Sequence, residues 1–255
     1  MLSYSVGENM KIELVDYQIN ALEILLMTKS TRLKGATLAE IMNMTISEKL
    51  EHYSYMKDTI KSSFEFVHYI FNIQGVSRAF TQQLERTRTQ SYAEQSLRAT
   101  DVRDSPVYNF GLCTSYDDAV SVSIRAYEEM VDSGIPIQDA RGVLPINITT
   151  NIIVGTNLRS LHETAKVRLC VRTQGEYQEV FKEMRRLIGI VHPWALDMIN
   201  VGCVDSGICV FPRYTECPVQ PTTVKIDEFR KLAIKIAWEI TNHEANPVAK
   251  NGITQ

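Results

Sequence analysis

The sequence predicts an α+β fold. Two short stretches, KIELVDYQI at 11–19 and INITTNIIVG at 146–155, are rich in β-branched residues, and in the first the side chains alternate as strands require. Two longer ones, DDAVSVSIRAYEEMVDSG at 117–134 and EYQEVFKEMRRLIGIVH at 176–192, read as helices. The second repeats apolar residues every three or four positions, as a helix with one buried face must. Neither kind of element dominates, and we find no internal repeat.

The elements follow in order. In 11–19, Ile12, Leu14 and Asp16 face one side, Val15, Tyr17 and Ile19 the other. A helix is predicted through ALEILLMTKS (21–30) and a second from Thr37, with Leu38, Ile41, Met42 and Met44 as its apolar stripe. Thr45 to Lys57 continues the helical region, with Ser47 as a candidate cap. SSFEFVHYIFNI (62–73) is predicted as a strand from its aromatic content. VSRAFTQQLER (76–86) spaces Val76, Ala79, Phe80, Gln83 and Leu84 as a helix. Gly134 closes the 117–134 helix, since glycine enters the left-handed region at little cost. IPIQDARGVLP (135–145) turns the chain, and TNLRSLHETAKVRLCVRTQG (156–175) is helical by its leucine and alanine spacing. In 176–192 the buried face carries Tyr177, Val180, Phe181, Met184, Leu187, Ile188 and Val191. Trp194, after Pro193, is a packing corner. Beyond it the texture becomes Gly- and Pro-rich, until KIDEFRKLAIKIAWEITNH (225–243) gives a terminal helix. The predicted organisation is one domain over 1–204 and a C-terminal extension over 205–255.

The 255 residues suffice for a full core without covalent staples. A net charge of −3 gives no global attraction to nucleic acid or membrane, so any anion site must be local. The five cysteines form no CxxC pair and read as reduced thiols of a cytoplasmic protein. His192 with Cys203, Cys209 and Cys217 is too loosely spaced for a zinc site, and no metal site is expected. The apolar run ALEILLM is too short to span a bilayer. There is no GxGxxG, no Walker loop and no basic aromatic tract, so Rossmann, P-loop and nucleic-acid readings lack support.

Against this background RTRTQSYAEQSLR (86–98) stands out. It holds Arg86, Arg88 and Arg98 among Thr87, Thr89, Ser91 and Ser96, with a single glutamate, Glu94. On an extended segment Arg86 and Arg88 share a face, whereas a helix would splay them by about 200°. Glu94 and Arg98, four apart, suit a helical ion pair on a solvated surface. Yet every cation is arginine, whose rigid fork grips a phosphate or carboxylate with two hydrogen bonds, and hydroxyl donors lie between. That composition suits a phosphate ester.

These residues resemble the RHRxxSxNExSxR signature of the flavin-dependent thymidylate synthases, the ThyX family. Arg86, Arg88, Ser91, Glu94, Ser96 and Arg98 occupy matching places, and Gln83 matches the glutamine of the preceding helix. GIPIQDARGVLP resembles a second family segment and carries Arg141. TNLRSLHETAKVRL resembles a third, with Asn157, Arg159 and Arg168, and Gln174 and Glu176 fall at its Q-x-E. The resemblance runs from about residue 11 to 195. It implies a mixed sheet flanked by helices and a homotetramer with sites between subunits. It also implies FAD-dependent transfer of a carbon from methylenetetrahydrofolate to C5 of dUMP, forming dTMP, with NADPH as reductant. A relative acting on UMP or another pyrimidine nucleotide, by methylation or hydroxymethylation, and an inactive nucleotide-binding protein are the alternatives.

Carried over, Gln83, Arg86, Ser96, Arg98, Arg141 and Arg168 hold the pyrimidine nucleoside monophosphate, with Arg98 and Arg141 on its phosphate. Arg168 faces the base, where a guanidinium stabilises charge developing on a carbonyl. Arg168 and Ser96 are the candidate catalytic residues, Ser96 as a hydrogen-bonding group. Ser30, His52, Arg88, Asn157 and Arg159 are the expected flavin contacts, with Glu94 orienting its neighbours. The chain departs from the family at Thr87 and Ala93, which replace the signature's histidine and asparagine, and at Glu163, which replaces an asparagine. His52 and Ser54 survive from an H-x-[ST]-x-x-E-H pattern whose last two residues are here Lys57 and Asp58.

Overall fold

A computed structural model describes residues 2–6, 10–30, 36–103, 105–108, 110–209 and 217, with the side chains of 2–6, 30 and 205 left out. The predicted terminal helix at 225–243 lies outside the described residues. The chain separates into two compact units, Met1–Asn200 and Val201–Gln255.

The first unit is built on a five-stranded sheet. Its strands are β1 (Leu2–Val6), β2 (Met10–Tyr17), β3 (His68–Ser77), β4 (Ser91–Glu94) and β5 (Thr149–Asn157), in the order β1-β2-β3-β5-β4. Every pairing is antiparallel, so the expected mixed sheet is corrected. The physical reason lies in burial. Parallel strands need helices over both faces, whereas here one face stays open. In β3, Tyr69, Phe71 and Ile73 are buried while His68 and Ile70 are exposed.

The helices of this unit are α1 (Ala21–Ser30), α2 (Leu38–Asn43), α3 (Ile46–Thr59), α4 (Arg78–Leu84), α5 (Thr114–Asp132), α6 (Ile137–Ala140), α7 (Leu158–Arg168) and α8 (Gly175–Val191). The helical region after Thr37 is two helices, each begun by a capping box. Thr37 pairs with Glu40, and Thr45 with Glu48. The cap of α3 is therefore Thr45, not Ser47: its hydroxyl accepts from Glu48 N at 3.3 Å while Glu48 Oε2 accepts from Thr45 N at 2.7 Å. The strand predicted at 62–73 begins only at His68, and Lys61–Phe66 is a 3₁₀ turn. Ser63 and Phe64 are both buried, and neighbours on a strand cannot face the same side. Phe64 instead packs edge-on against Tyr53, with centroids 6.2 Å apart.

The main core lies between the inner sheet face and α1, α4, α7 and α8. It includes Ile12, Leu25, Phe71, Phe80, Val154, Leu161 and Phe181. A smaller cluster, Leu97, Val102, Tyr127, Ala140 and Ile148, joins α5 and α6 to the turn after β4. Gly134, with φ of 83°, ends α5 as expected. Among the described residues no helix is long and apolar enough to cross a membrane. In the second unit α9 (Gly202–Ser206) ends at Gly207, in the left-handed region with φ of 66°.

His192 closes α8 inside the core. Tyr69 Oη lies 3.0 Å from its Nδ1, and Tyr17, Tyr69 and Trp194 surround the ring. Burial depresses its pKa, against the raising influence of the Gln18 backbone and Glu23. The unfolded chain thus binds more protons than the folded one between the depressed value and about 6.5, and stability rises with pH across that window. Thermal melts should show a Tm lower at pH 5.5 than at pH 7.5. His192→Gln should narrow that difference, and an unchanged difference would mean that His192 does not carry it.

Candidate functional site

Four segments carry the motif residues: α4 with the loop after it, the turn after β4, the stretch around α6, and α7 with the start of α8. Ser77 caps α4, its Oγ accepting from Phe80 N at 3.1 Å. Glu176, 3% exposed, reaches across from the first turn of α8 and accepts from Ser77 N at 2.6 Å and Ser77 Oγ at 2.5 Å. Gln83 Nε2, on α4, donates to Gln174 Oε1, at the cap of α8. The Q-x-E pair thus locks the start of α8 onto α4. Burial raises the Glu176 pKa despite the two Ser77 hydrogen bonds, and nearby Glu179 adds to the rise.

Arg168 is the last residue of α7, and its guanidinium carbon lies 4.3 Å from the centre of the Tyr177 ring. Tyr177 is fully buried and packs edge-on against Phe80, with centroids 4.9 Å apart. Gln83, Gln174, Arg168 and Tyr177 therefore come together within one chain.

Arg86 and Arg88 lie on the loop between α4 and β4. Tyr92 Oη stands 2.8 Å from Leu84 O, 2.9 Å from Thr87 O and 2.9 Å from Gln90 Oε1. Ser160 Oγ, on α7, donates to Thr89 O at 3.0 Å. Thr87, in the place of the signature's histidine, closes a turn through its N–H to Leu84 O at 3.0 Å. The loop is pinned while its arginines point outward and exposed.

The segment after the loop is not helical. Ser91–Glu94 pairs as an edge strand with Ile152–Gly155, so the helical Glu94–Arg98 pair is corrected. Opposite a β-branched strand, extended backbone wins over a weak local charge pair. Glu94 instead meets Arg78, Oε2 to Nη2 at 3.1 Å, and its Oε1 is buried without a partner among the described residues. Arg78, in the first turn of α4, belongs to none of the matched motif positions. Its arginine-before-apolar spacing carried no signal of a partner 16 residues away.

Ser96 and Arg98 lie on the following turn, where Ser96 Oγ accepts from Arg98 N at 3.3 Å. Arg141 follows α6, its Nε donating to Gln138 O at 3.0 Å. Leu97 and Ala140, their neighbours, share the smaller apolar cluster, which places Arg98 and Arg141 around one small core. No side-chain hydrogen bond joins this pair to the Gln83–Arg168 group among the described residues.

The remaining candidates have local partners. Asn157 caps α7, its Oδ1 accepting from Ser160 N at 2.9 Å. Arg159 pairs with Glu65 on the surface. His52 Nδ1 lies 3.0 Å from Lys29 Nζ, which also sits over the Tyr55 ring at 4.7 Å. The side chain of Ser30, the last residue of α1, is not described. Among the departures, Glu163 pairs with Lys166 at 2.7 Å and Lys57 with Asp197 at 3.0 Å, while Ala93 is exposed opposite Ile153.

The electrostatic pattern is selective. Arg78, Arg103 and Arg159 are bound to carboxylates. Arg86, Arg88 and Arg98 are exposed and have no side-chain hydrogen bond or ion pair among the described residues, and Arg141 meets only a backbone carbonyl. Unpaired guanidiniums keep their full set of donors for an outside anion.

Comparison with known proteins matches residues 13–194 to the family model described as thymidylate synthase complementing protein. The chain is 35% identical over 183 residues to a flavin-dependent thymidylate synthase of Geobacter sulfurreducens, covering 68% of this chain and 72% of that one. It is 28% identical over 207 residues to one of Sulfolobus acidocaldarius, covering 76% and 78%. Among solved structures it resembles a UMP/dUMP methylase, PolB of Streptomyces cacaoi, bound with 5-Br dUMP. The TM-score is 0.61 at 20% identity, over 74% of this chain and 94% of that one.

Proposed function

We propose, because this chain belongs to the thymidylate synthase complementing protein family, that it transfers a one-carbon unit from methylenetetrahydrofolate to C5 of dUMP, forming dTMP. The observation that carries the reading is the set of exposed motif arginines, Arg86, Arg88 and Arg98, which among the described residues have no carboxylate while Arg78 and Arg159 do. In a chain of net negative charge, these three guanidiniums and Arg141 supply the donors of a local anion site in this reading.

Arg98 and Arg141 hold the phosphate, and Ser96 adds a hydroxyl donor. Arg168 faces the base, where its charge stabilises an oxygen that becomes negative as C5 turns nucleophilic. The Gln83–Gln174 pair offers amide groups beside it. The cofactor-side residues fit FAD. Among the described residues Arg88 is unpaired and Glu94 Oε1 is a buried acceptor that lacks a donor, and the exposed Arg159–Glu65 pair opens at a cost of about 0–1 kcal/mol. Bound FAD supplies the electrons for the reduction, and NADPH is the proposed reductant. His52 and Asn157 complete that side.

A homotetramer is part of the proposal. The Gln83–Arg168 group sits beside the main core and the Ser96–Arg98–Arg141 group beside the smaller one. The open sheet face carries Ile70 and Ile153, the last 49% exposed, where neighbouring subunits gain apolar burial.

A second reading takes UMP as substrate, favoured by Thr87 at the signature's histidine and by a fold neighbour described as a UMP/dUMP methylase. Tritium release from C5-labelled dUMP and UMP, with methylenetetrahydrofolate, FAD and NADPH, separates them. Release from dUMP supports the synthase reading, and release from UMP alone moves the substrate to the ribonucleotide. Release from neither, with nucleotide still bound, leaves an inactive binding protein.

A further inference from the structure

We infer that Tyr177 is the positioning residue for Arg168: its buried ring, rather than a carboxylate, holds the guanidinium facing the pyrimidine. The inference rests on the nucleotide reading above. Arg168 has no ion pair with a described carboxylate. Its nearest charge-complementary surface is the π-face of Tyr177, at 4.3 Å. A cation over an aromatic face is attracted by the ring's quadrupole, and more strongly when water is excluded.

The ring itself cannot move far. It is fully buried and braced edge-on by Phe80 at 4.9 Å and an interplanar angle of 84°. The residues just before it are tied down as well, Glu176 to Ser77 and Gln174 to Gln83. A carboxylate in this place would neutralise the charge and occupy the N–H donors. A ring over which the guanidinium sits carries no carboxylate oxygens to occupy its N–H donors, so they stay available to a ligand.

The position beside it fits the same arrangement. The Tyr177 hydroxyl is buried without a well-formed hydrogen bond, and Thr87 and Arg168 are the groups that approach it. Thr87 stands where the family signature has histidine. Its small side chain leaves room for that hydroxyl next to the loop that carries Arg86 and Arg88.

The test uses the full chain with dUMP and UMP as separate probes in calorimetry. Tyr177→Met, close in volume and without a ring, should bind the nucleotide about tenfold more weakly. Tyr177→Phe, which keeps the ring, should stay within about threefold of wild type. In the Arg168→Ala background, Tyr177→Met should cost nothing further, since there is no guanidinium left to place. An additive loss in the double variant, or no loss in Tyr177→Met, overturns the inference.

The Arg168 Nε–H resonance reads the contact without nucleotide, and it also covers a Tyr177→Met variant that fails to fold. It should be shielded by the ring in wild type and Tyr177→Phe and lose that shielding in Tyr177→Met. An unshielded resonance in wild type overturns the positioning role even where dUMP binds. Wild-type protein that binds neither nucleotide, with the resonance shielded, counts against the function proposed above and reduces Tyr177 to a packing contact.

Discussion

Glu176→Leu is expected to destabilise the folded chain by about 3 kcal/mol, because two buried donors then lose their acceptor. The Ser77 N–H and hydroxyl both point at the Glu176 carboxylate, and Ser77 is completely buried. Each unsatisfied group costs about 1–3 kcal/mol, and leucine fills a similar volume without accepting a hydrogen bond. For a unit of this size the Tm should fall by roughly 6–12 °C. Glu176→Gln keeps one acceptor and should lie between leucine and wild type. The raised pKa of Glu176 in the wild-type chain sets the sign of the pH effect. A carboxyl whose folded pKa exceeds its unfolded one contributes less as pH rises from about 4.5 through the folded value, so the gap between wild type and Glu176→Leu should be wider at acid pH. Melts that coincide for the two proteins would show that the lock between α4 and α8 is not needed.

Arg168→Ala should weaken dUMP binding by roughly 10- to 100-fold, the worth of a charge-assisted hydrogen bond of about 1.5–3 kcal/mol. Flavin content, read from the absorbance of the purified protein, should stay unchanged. Arg88→Ala should do the reverse, lowering flavin content while dUMP affinity holds. Arg168 lies on a buried ring and Arg88 on an exposed, pinned loop, so neither change removes a core contact of comparable size. Equal loss of both ligands in both variants would mean that these arginines have been assigned to the wrong ligands or that they support the fold.

Much of the fold was legible along the chain. The helices at 21–30, 117–134 and 176–192 and the strand at 11–19 could be read because each has a single buried face, and a buried face imposes its period on the residues that make it. The reading failed at 62–66 for a reason visible in Phe64. Aromatic content signals burial, but not whether a strand or a single turn delivers it. It failed at Glu94 because charges four apart satisfy a helix rule locally, whereas pairing with β5 depends on a segment some 60 residues away. Thr45 displaced Ser47 because a capping box needs its glutamate three residues on, and Glu48 is three from Thr45.

By itself the sequence determined the α+β class, the family resemblance and the list of arginines, since periodicity, motif order and residue type are all written along one dimension. Only the tertiary structure decided which arginines are spent and which remain. Among the described residues, Arg78 and Arg159 meet Glu94 and Glu65, Arg168 rests on Tyr177, and Arg86, Arg88 and Arg98 stay unpaired. Electrostatic interaction falls off with separation in space and ignores separation along the chain, so the partner of a charge becomes known only when the chain has folded.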